Sequence, residues 1–226
     1  MKLVPSTITR TRKFVMDVGQ YGLMFGPFRR ALVESRATQW DEIQRLMLCY
    51  YGRRLWQAGF IAGRAGNLSA RGRDPDEIFI TPRGKNKARL APSDVQAMQL
   101  DGVASDPAEV SVEFPMHQAC YQVNDGIGAV IHSHAPWLTA LGLRGLAVED
   151  WLPETAEAMG GISIVPFREA GSGELGDVVG ETMDSGVRLV VLKGHGVVSA
   201  GVNLADAFDR MELAELSAKT VLIAAA

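Results

Sequence analysis

The chain has 226 residues, of which 47% are hydrophobic and 22% carry a charge, as is typical of a folded globular protein. This composition excludes disordered and fibrous proteins, and the length suits a single domain with a sizeable hydrophobic core. The formal net charge of −3 argues against a nucleic-acid-binding protein, which needs a concentrated basic surface.

Positive charge is concentrated in the first part of the chain. Residues 1–37 contain seven basic and two acidic side chains, a balance of +5, which leaves −8 for the remaining residues. We interpret residues 1–37 as a basic extension that lies on an acidic surface of the same chain or of a neighbouring subunit. Residues 38–226 are predicted to form one domain, because they contain no repeat, low-complexity segment or flexible linker.

No sequence feature predicts association with a membrane. The sequence has no run of roughly 20 uncharged apolar residues and no apolar leader with a small-residue cleavage site. The two cysteines, Cys49 and Cys120, are far apart and do not form a Cys-x-x-Cys pair. We therefore expect a cytoplasmic protein in a reducing compartment.

The order of hydrophobic patterns predicts a mixed α/β domain. Apolar residues recur at helical spacing over 40–58, and a loop punctuated by glycines follows at 63–69. A buried strand is predicted over 126–131, and Asn203 is the predicted N-cap of a closing helix over 204–224. The other predicted elements are helices over 113–123, 153–159 and 172–183 and strands over 77–81, 162–166, 188–193 and 196–199.

Several of the predicted strands are separated only by short turns. Strands and helices also lack the strict alternation of a doubly wound sheet, and no Gly-x-Gly-x-x-Gly motif follows a strand. These features predict a layered α/β sandwich with a central, mainly antiparallel β-sheet flanked by helices.

Three of the four histidines have the spacing of a metal site. His132 and His134 are two residues apart at the end of a strand, so both rings point to the same side. His195 lies between two glycines at a turn, where an ion and a substrate have room to approach. Three neutral imidazoles suit a zinc-type ion and leave a coordination position open for catalysis. Spacing alone does not establish the third ligand, because buried histidines often only satisfy a backbone carbonyl.

Two further polar residues lie on the predicted helix over 113–123. Glu113 is a candidate acid/base, since a metal ion and a helix N-terminus can adjust the pKa of a nearby carboxyl group. Taken alone, it could equally be an ordinary acidic residue of the first helical turn. His117 lies on an apolar helix face and is interpreted as a buried supporting histidine rather than a fourth ligand.

Several motifs occur together in the order and at the separations of one known family. They are Ala65-Gly66-Asn67-Leu68-Ser69-Ala70-Arg71, Ile80-Thr81-Pro82-Arg83-Gly84, Ser111-Val112-Glu113 with His117, Ala129-Val130-Ile131-His132-Ser133-His134, and Leu192-Lys193-Gly194-His195-Gly196-Val197. From about Trp40 to the C-terminus, the chain resembles the class II aldolase/adducin superfamily, and in particular its L-fuculose-phosphate aldolase-like branch. Each motif is weak alone, but the combination is specific.

The resemblance implies a metal-dependent aldolase-type lyase that assembles as a homotetramer, with residues 38–226 as its catalytic domain. It implies that His132, His134 and His195 bind one divalent ion, zinc in preference to manganese, cobalt or iron, and that Glu113 is the catalytic acid/base. The substrate would be a small ketose phosphate, cleaved by a retro-aldol reaction through a metal-stabilised enediolate. The aldolases also use a tyrosine from a neighbouring chain, for which residues 150–154 offer no match.

The resemblance also implies a set of residues that bind the anionic end of the substrate, namely Asn67, Arg83, Gly84 and Ser111. This sequence departs from the family here, because Arg83 stands in place of a threonine and Val112 in place of a serine. The loss of two hydroxyls removes donors to phosphate, whereas Arg83 adds a bidentate partner for phosphate or carboxylate. Arg83 could instead be a solvated charge at a turn.

The same metal site would serve other reactions. A decarboxylase of a β-keto acid is the closest alternative, since an enolate would form there too and Arg83 could orient the carboxylate. A dehydratase of a methylthio-ketose phosphate is a third possibility, and a pentose-phosphate 4-epimerase is disfavoured because that branch has aspartate in place of Glu113. The alternative outside enzymes is an adducin-like interaction module, which the presence of all three histidines disfavours.

Overall fold

The computed structural model describes residues 40–102 and 109–226, all of which belong to one compact unit, Gln39–Ala226. The basic extension predicted over 1–37 lies outside the described residues, so its boundary and its packing stay predictions. No helix in the described part of the chain is both long and apolar enough to cross a bilayer.

Helices and strands are mixed along the described residues. In chain order they are α1 (Trp40–Gln57), β1 (Asn67–Arg71), β2 (Glu77–Ile80), β3 (Gln96–Gln99), α2 (Phe114–Val123), β4 (Ala129–Ser133), α3 (Pro136–Arg144), α4 (Pro153–Ala158), β5 (Ile162–Val165), α5 (Gly173–Asp184), β6 (Leu189–Leu192), β7 (Gly196–Gly201) and α6 (Leu204–Ala224). Helix α6 has its predicted bounds. The side chain of Asn203 caps this helix by accepting a hydrogen bond from the backbone N–H of Asp206, as predicted.

The strands form one sheet in the order β3-β2-β1-β4-β7-β6-β5. Neighbouring strands are antiparallel throughout, except that β5 and β6 run parallel at one edge. Helix α5 connects these two strands, as a parallel pair requires a crossover connection. The predicted fold class, a mainly antiparallel sheet between helices, is confirmed.

The predicted loop over 63–69 is wrong in its second half. Gly63 and Gly66 have positive φ angles of 59° and 71°, which suit a turn, but β1 begins at Asn67 and pairs with both β2 and β4. Small polar residues next to glycines gave no strand signal, and tertiary pairing overrides that local preference. The shift matters for function, because it places Asn67 within the sheet.

The two faces of the sheet are covered by different helices. Val130 of β4 belongs to a core that includes Met116 of α2 and Val179 of α5, whereas the Ser133 hydroxyl donates to Met211 of α6 on the opposite face. Because side chains alternate along a strand, His132 lies on the same side as Val130. This alternation directs the His132 ring toward the layer formed by α2 and α5.

Candidate metal centre

Three histidine rings converge at one end of the central strands. His132 is in β4, His134 follows that strand directly, and His195 lies in the turn between β6 and β7. Because β4 pairs with β7, this turn lies beside the end of β4. One nitrogen from each ring lies within 4.8 Å of the others, and among the described residues these three form the one group of potential ligands with such spacing.

His132 presents a free lone pair to the centre of this group. Its Nδ1 donates a hydrogen bond to the backbone oxygen of Val197 at 3.1 Å, so the proton of the neutral ring is on Nδ1. Burial lowers the pKa of His132 to about 3, which keeps the ring neutral. Its Nε2 is buried and has no hydrogen-bond partner within the described residues. A neutral ring whose other nitrogen is bonded to a carbonyl is the form in which histidine binds metals.

The other two rings complete an open site. His134 is exposed at the mouth of the group. The part of its ring that is buried and the nearby His195 lower its pKa. The Nδ1 of His195 is buried without a hydrogen-bond partner in the described part of the chain. A group with one buried ring and one exposed ring leaves a side from which a small molecule can reach a bound ion.

Glu113 is the acidic residue next to these rings. It immediately precedes α2, its side chain is buried, and its Oε2 lies 3.2 Å from His132 Nε2 while its Oε1 lies 3.1 Å from His195 Nε2. Burial opposes ionisation of the carboxyl, but hydrogen bonds from His195 and Asn67 lower the pKa of Glu113 below its usual range. A carboxylate oxygen and the lone pair of His132 Nε2 repel each other at this distance unless they share a positive charge. The donor set therefore fits a cation.

Glycine is required where the turn meets β4. A Cβ atom on Gly196 would lie 2.3 Å from the backbone oxygen of Ser133, 2.9 Å from Cδ2 of His134 and 3.1 Å from Cε1 of His132. No side chain fits that space. The absence of a side chain at Gly196 therefore allows the turn that carries His195 to approach the other two rings.

Asn67 links the sheet to the carboxylate of Glu113. It is directly opposite His132 in the β1–β4 pairing, and its Nδ2 donates a hydrogen bond to Glu113 Oε2 at 2.6 Å. Its Oδ1 contacts Nε2 of His117, a fully buried ring that is also bonded to Ser69. The sequence singled out Asn67 for binding an anion, and the structure shows that most of its amide is already engaged within the protein.

The other predicted anion-binding residues lie on two neighbouring loops. Ser111 is buried, and its hydroxyl accepts a hydrogen bond from the backbone N–H of Glu113 at 3.3 Å. Arg83 and Gly84 are exposed in the loop after β2, where the backbone N–H of Arg83 donates to the oxygen of Glu109. The structure therefore brings Asn67 and Ser111 to Glu113, and leaves the Arg83 side chain open to solvent. Their role in binding substrate stays a prediction.

A buried lysine that the sequence did not single out connects these loops. The Nζ atom of Lys87 donates to the backbone oxygens of Arg64 at 2.9 Å and Lys85 at 3.0 Å. Burial lowers the pKa of Lys87 to about 8. Lys87 thus ties the glycine loop before β1 to the loop that carries Arg83. Its spacing in the sequence offered no signal for this role, because both acceptors are backbone atoms.

Comparisons with known proteins identify relatives over most of the chain. The family model for the class II aldolase and adducin N-terminal domain matches residues 47–222. The chain is 32% identical over 183 residues to the L-fuculose phosphate aldolase of Methanocaldococcus jannaschii, covering 81% of this chain and 96% of that protein. It is 30% identical over 184 residues to the 3-oxo-tetronate 4-phosphate decarboxylase of Haemophilus influenzae, covering 79% of this chain and 87% of that protein. Among solved structures, YgbL of Escherichia coli matches with a TM-score of 0.75 and 28% identity, covering 81% of this chain and 90% of that structure.

Proposed function

The chain belongs to the class II aldolase and adducin family, and from this membership we propose that it breaks a carbon–carbon bond beside the carbonyl group of a small phosphorylated substrate. Its relatives include an aldolase and a decarboxylase, both of which are lyases. The observation that carries the proposal is the buried carboxylate of Glu113, 3.1 Å and 3.2 Å from the rings of His195 and His132.

We assign His132, His134 and His195 as the ligands of one divalent ion per subunit. Zinc is the preferred ion for three imidazoles, and manganese, cobalt and iron are the alternatives. A bound ion would act as a Lewis acid that polarises adjacent carbonyl and hydroxyl oxygens of the substrate. The facing lone pairs of His132 and Glu113 support this assignment, because a cation removes their repulsion.

Glu113 is proposed to transfer the proton. Its Oε2 accepts the hydrogen bond from Asn67, and its Oε1 lies 3.1 Å from His195 Nε2. With the three rings turned to a bound ion, Oε1 is the oxygen that we assign to the substrate proton. A buried carboxylate at a helix N-terminus, held by an amide, has a defined direction for that transfer. The anionic end of the substrate is proposed to lie against Ser111, Gly84 and the remaining N–H of Asn67, with the Arg83 guanidinium within reach of a further negative group.

The aldolase and decarboxylase reactions converge on one intermediate. Retro-aldol cleavage of a ketose 1-phosphate between C3 and C4 leaves the enediolate of dihydroxyacetone phosphate. Loss of CO₂ from a 3-oxo-tetronate 4-phosphate leaves the same enediolate. In both reactions the enediolate carbon takes up one proton, which the C4 hydroxyl releases in retro-aldol cleavage and solvent supplies in decarboxylation. We assign the transfer of this proton to the enediolate carbon to Oε1 of Glu113. The shared step explains how one set of residues suits both reactions.

Retro-aldol cleavage is the leading proposal, and decarboxylation is the second. An exposed guanidinium at position 83 favours the second, because it can bind the substrate carboxylate before CO₂ leaves. The adducin-like module loses support, since three rings converge with a carboxylate and the relatives named above are lyases.

A homotetramer with active sites near subunit interfaces is proposed from the family resemblance. Helix α6 leaves Leu216 and Ile223 exposed at 63% and 62%, which provides apolar surface for contact with another subunit. Sedimentation analysis of the purified protein would measure the assembly directly.

The proton-transfer step can be tested with dihydroxyacetone phosphate, whichever bond is cleaved in the full reaction. Protein loaded separately with zinc, manganese, cobalt or iron is incubated in D₂O, and proton NMR follows deuterium uptake at the hydroxymethyl carbon. We expect metal-dependent exchange, and a fall of about 10²–10⁴-fold in Glu113→Gln with the metal content unchanged. Glu174→Gln, at an exposed position of α5, is the matched control. Exchange that is absent with every bound metal, or undiminished in Glu113→Gln, contradicts the proposal.

The two reactions are then separated by their second product. L-fuculose 1-phosphate would release an aldehyde, whereas 3-oxo-tetronate 4-phosphate would release CO₂. A selective loss of CO₂ release in Arg83→Thr would support decarboxylation, and aldehyde release that survives this change would support retro-aldol cleavage.

A further inference from the structure

A continuous line of buried polar side chains runs from Tyr121 of α2 through Ser69 and Asn67 of β1 to Glu113. Its contacts are Tyr121 Oη to Ser69 Oγ at 2.8 Å, Ser69 Oγ to His117 Nδ1 at 2.7 Å, His117 Nε2 to Asn67 Oδ1 at 2.5 Å, and Asn67 Nδ2 to Glu113 Oε2 at 2.6 Å. All five side chains are buried, with at most 6% of any residue exposed. Polar groups at such depth are costly unless every hydrogen bond is made.

The charge on Glu113 determines the direction of these hydrogen bonds. An ionised carboxylate only accepts, so Asn67 must turn its Nδ2 toward Glu113 and its Oδ1 away. Oδ1 only accepts as well, and His117 must therefore carry its proton on Nε2. Turning the amide over would place Oδ1 against the carboxylate and is excluded by repulsion.

Because His117 is neutral, the directions of the hydrogen bonds made by Ser69 and Tyr121 are also fixed. Burial lowers the pKa of His117 to about 4, so the ring has one proton, and Nδ1 is an acceptor. Ser69 then donates its hydroxyl to Nδ1, and its oxygen is free to accept from Tyr121. Each of these groups has only one role open to it once Glu113 is ionised.

We propose that Tyr121, Ser69 and His117 are positioning residues that act on Glu113 through the amide of Asn67. They hold the Asn67 N–H toward Oε2, which leaves Oε1 directed at the reaction. This inference rests on the proposed proton transfer by Glu113. The line does not conduct protons to Glu113, because the amide of Asn67 has no proton to relay at its oxygen. Its effect is on the orientation of the carboxylate.

The test removes one hydroxyl far from the substrate. In Ser69→Ala, His117 loses the hydroxyl that holds its Nδ1, so the ring can shift and the Asn67 amide loses its fixed partner at Oδ1. We expect kcat for deuterium exchange into dihydroxyacetone phosphate to fall roughly 10-fold, with KM and metal content unchanged. Ser199→Ala is the matched control, since it removes an equally buried serine hydroxyl that donates to Ala207 on the other face of the sheet. It should leave kcat unchanged.

Three further variants separate a change of orientation from a loss of folding. His117→Gln keeps one donor and one acceptor and should retain more activity than His117→Leu, which keeps neither. Tyr121→Phe preserves the packed ring and should lower kcat by less than Ser69→Ala. Equal kcat in Ser69→Ala and Ser199→Ala, or equal activity in the two His117 variants, overturns the proposal.

A wild-type protein that exchanges no deuterium would contradict only the proposed function. A structural measurement tests the positioning of Glu113 even in that case. Crystal structures of the wild-type and Ser69→Ala proteins are compared at the site. We expect the Asn67–Glu113 hydrogen bond to lengthen or the carboxylate to occupy a second orientation in the variant. An unchanged Glu113 carboxylate in Ser69→Ala overturns the positioning role.

Discussion

Gly196 lies so close to Ser133 that a Cβ atom on the glycine would stand 2.3 Å from the serine's backbone oxygen. Ser133 separates His132 from His134, and Gly196 follows His195 directly. This single approach of two backbones therefore sets the separation between the histidine pair and the third ring.

We predict that Gly196→Ala destabilises the protein by about 1–3 kcal/mol and weakens metal binding, because β4 and the turn must move apart. Denaturant unfolding and calorimetric titration with zinc would measure the two effects. Gly173→Ala is the control, since a Cβ atom there meets no atom within 4 Å. A Gly196→Ala protein that matches Gly173→Ala in stability and in zinc affinity would contradict the prediction.

Single replacement of His132, His134 or His195 by alanine should weaken metal binding at least about 100-fold, since even supporting groups around a metal contribute 10–100-fold. Metal content after dialysis, measured by mass spectrometry, reports this loss. His117→Gln should keep its metal, because that ring is bonded to Ser69 and Asn67 and lies outside the group. Full occupancy in any of the three alanine variants would remove that residue from the ligand set.

Glu215 of α6 caps helix α3, which follows His134 directly. Its carboxylate accepts hydrogen bonds from the backbone N–H groups of Trp137 and Leu138, both at 2.9 Å, in the first turn of the helix that follows His134. Glu215→Ala should destabilise the protein by about 1–3 kcal/mol, since two buried donors lose their partner. Glu212→Ala, which removes an exposed carboxylate 3.8 Å from Arg54, should cost no more than about 1 kcal/mol. Similar unfolding free energies for the two variants would count against this cap.

Protonation of His117 should reduce stability at acid pH. Its folded pKa is about 4, against about 6.5 in the unfolded chain, so the unfolded state binds more protons between these values. Stability is therefore complete above pH 6.5 and falls as the pH decreases toward 4, by about 1.4 kcal/mol at pH 5.5. Urea unfolding of metal-free wild-type protein and His117→Gln at pH 7.5 and 5.5 would show the difference, because the two proteins share every other ionisable group. Parallel pH dependence in the two proteins is the result that would refute it.

Elements with strong local signals could be predicted from the sequence. The closing helix is an example, because its apolar spacing and the N-cap Asn203 are both local features, and its bounds are as predicted. The convergence of His132, His134 and His195 was also predicted, from strand alternation for the pair and from the family motifs for the third ring.

Long-range hydrogen bonds could not be predicted in the same way. The contact between Ser69 and Tyr121 could not be predicted, because it joins a strand to a helix far along the chain. One signal was present, since Glu113, His117 and Tyr121 are spaced four residues apart and lie along one side of a helix. The loop predicted over 63–69 includes Asn67 and Ser69, so the sequence did not indicate that both residues lie in one strand.

The three histidines come from two segments that are far apart in the chain, and their rings meet only when β4 is paired with β7. An unfolded chain therefore has no high-affinity site, and occupancy is thermodynamically linked to the native state. Each tenfold excess of free ion over the dissociation constant adds about 1.4 kcal/mol to the free energy of unfolding. Scarcity of the ion would thus expose the protein to degradation as well as stop its turnover.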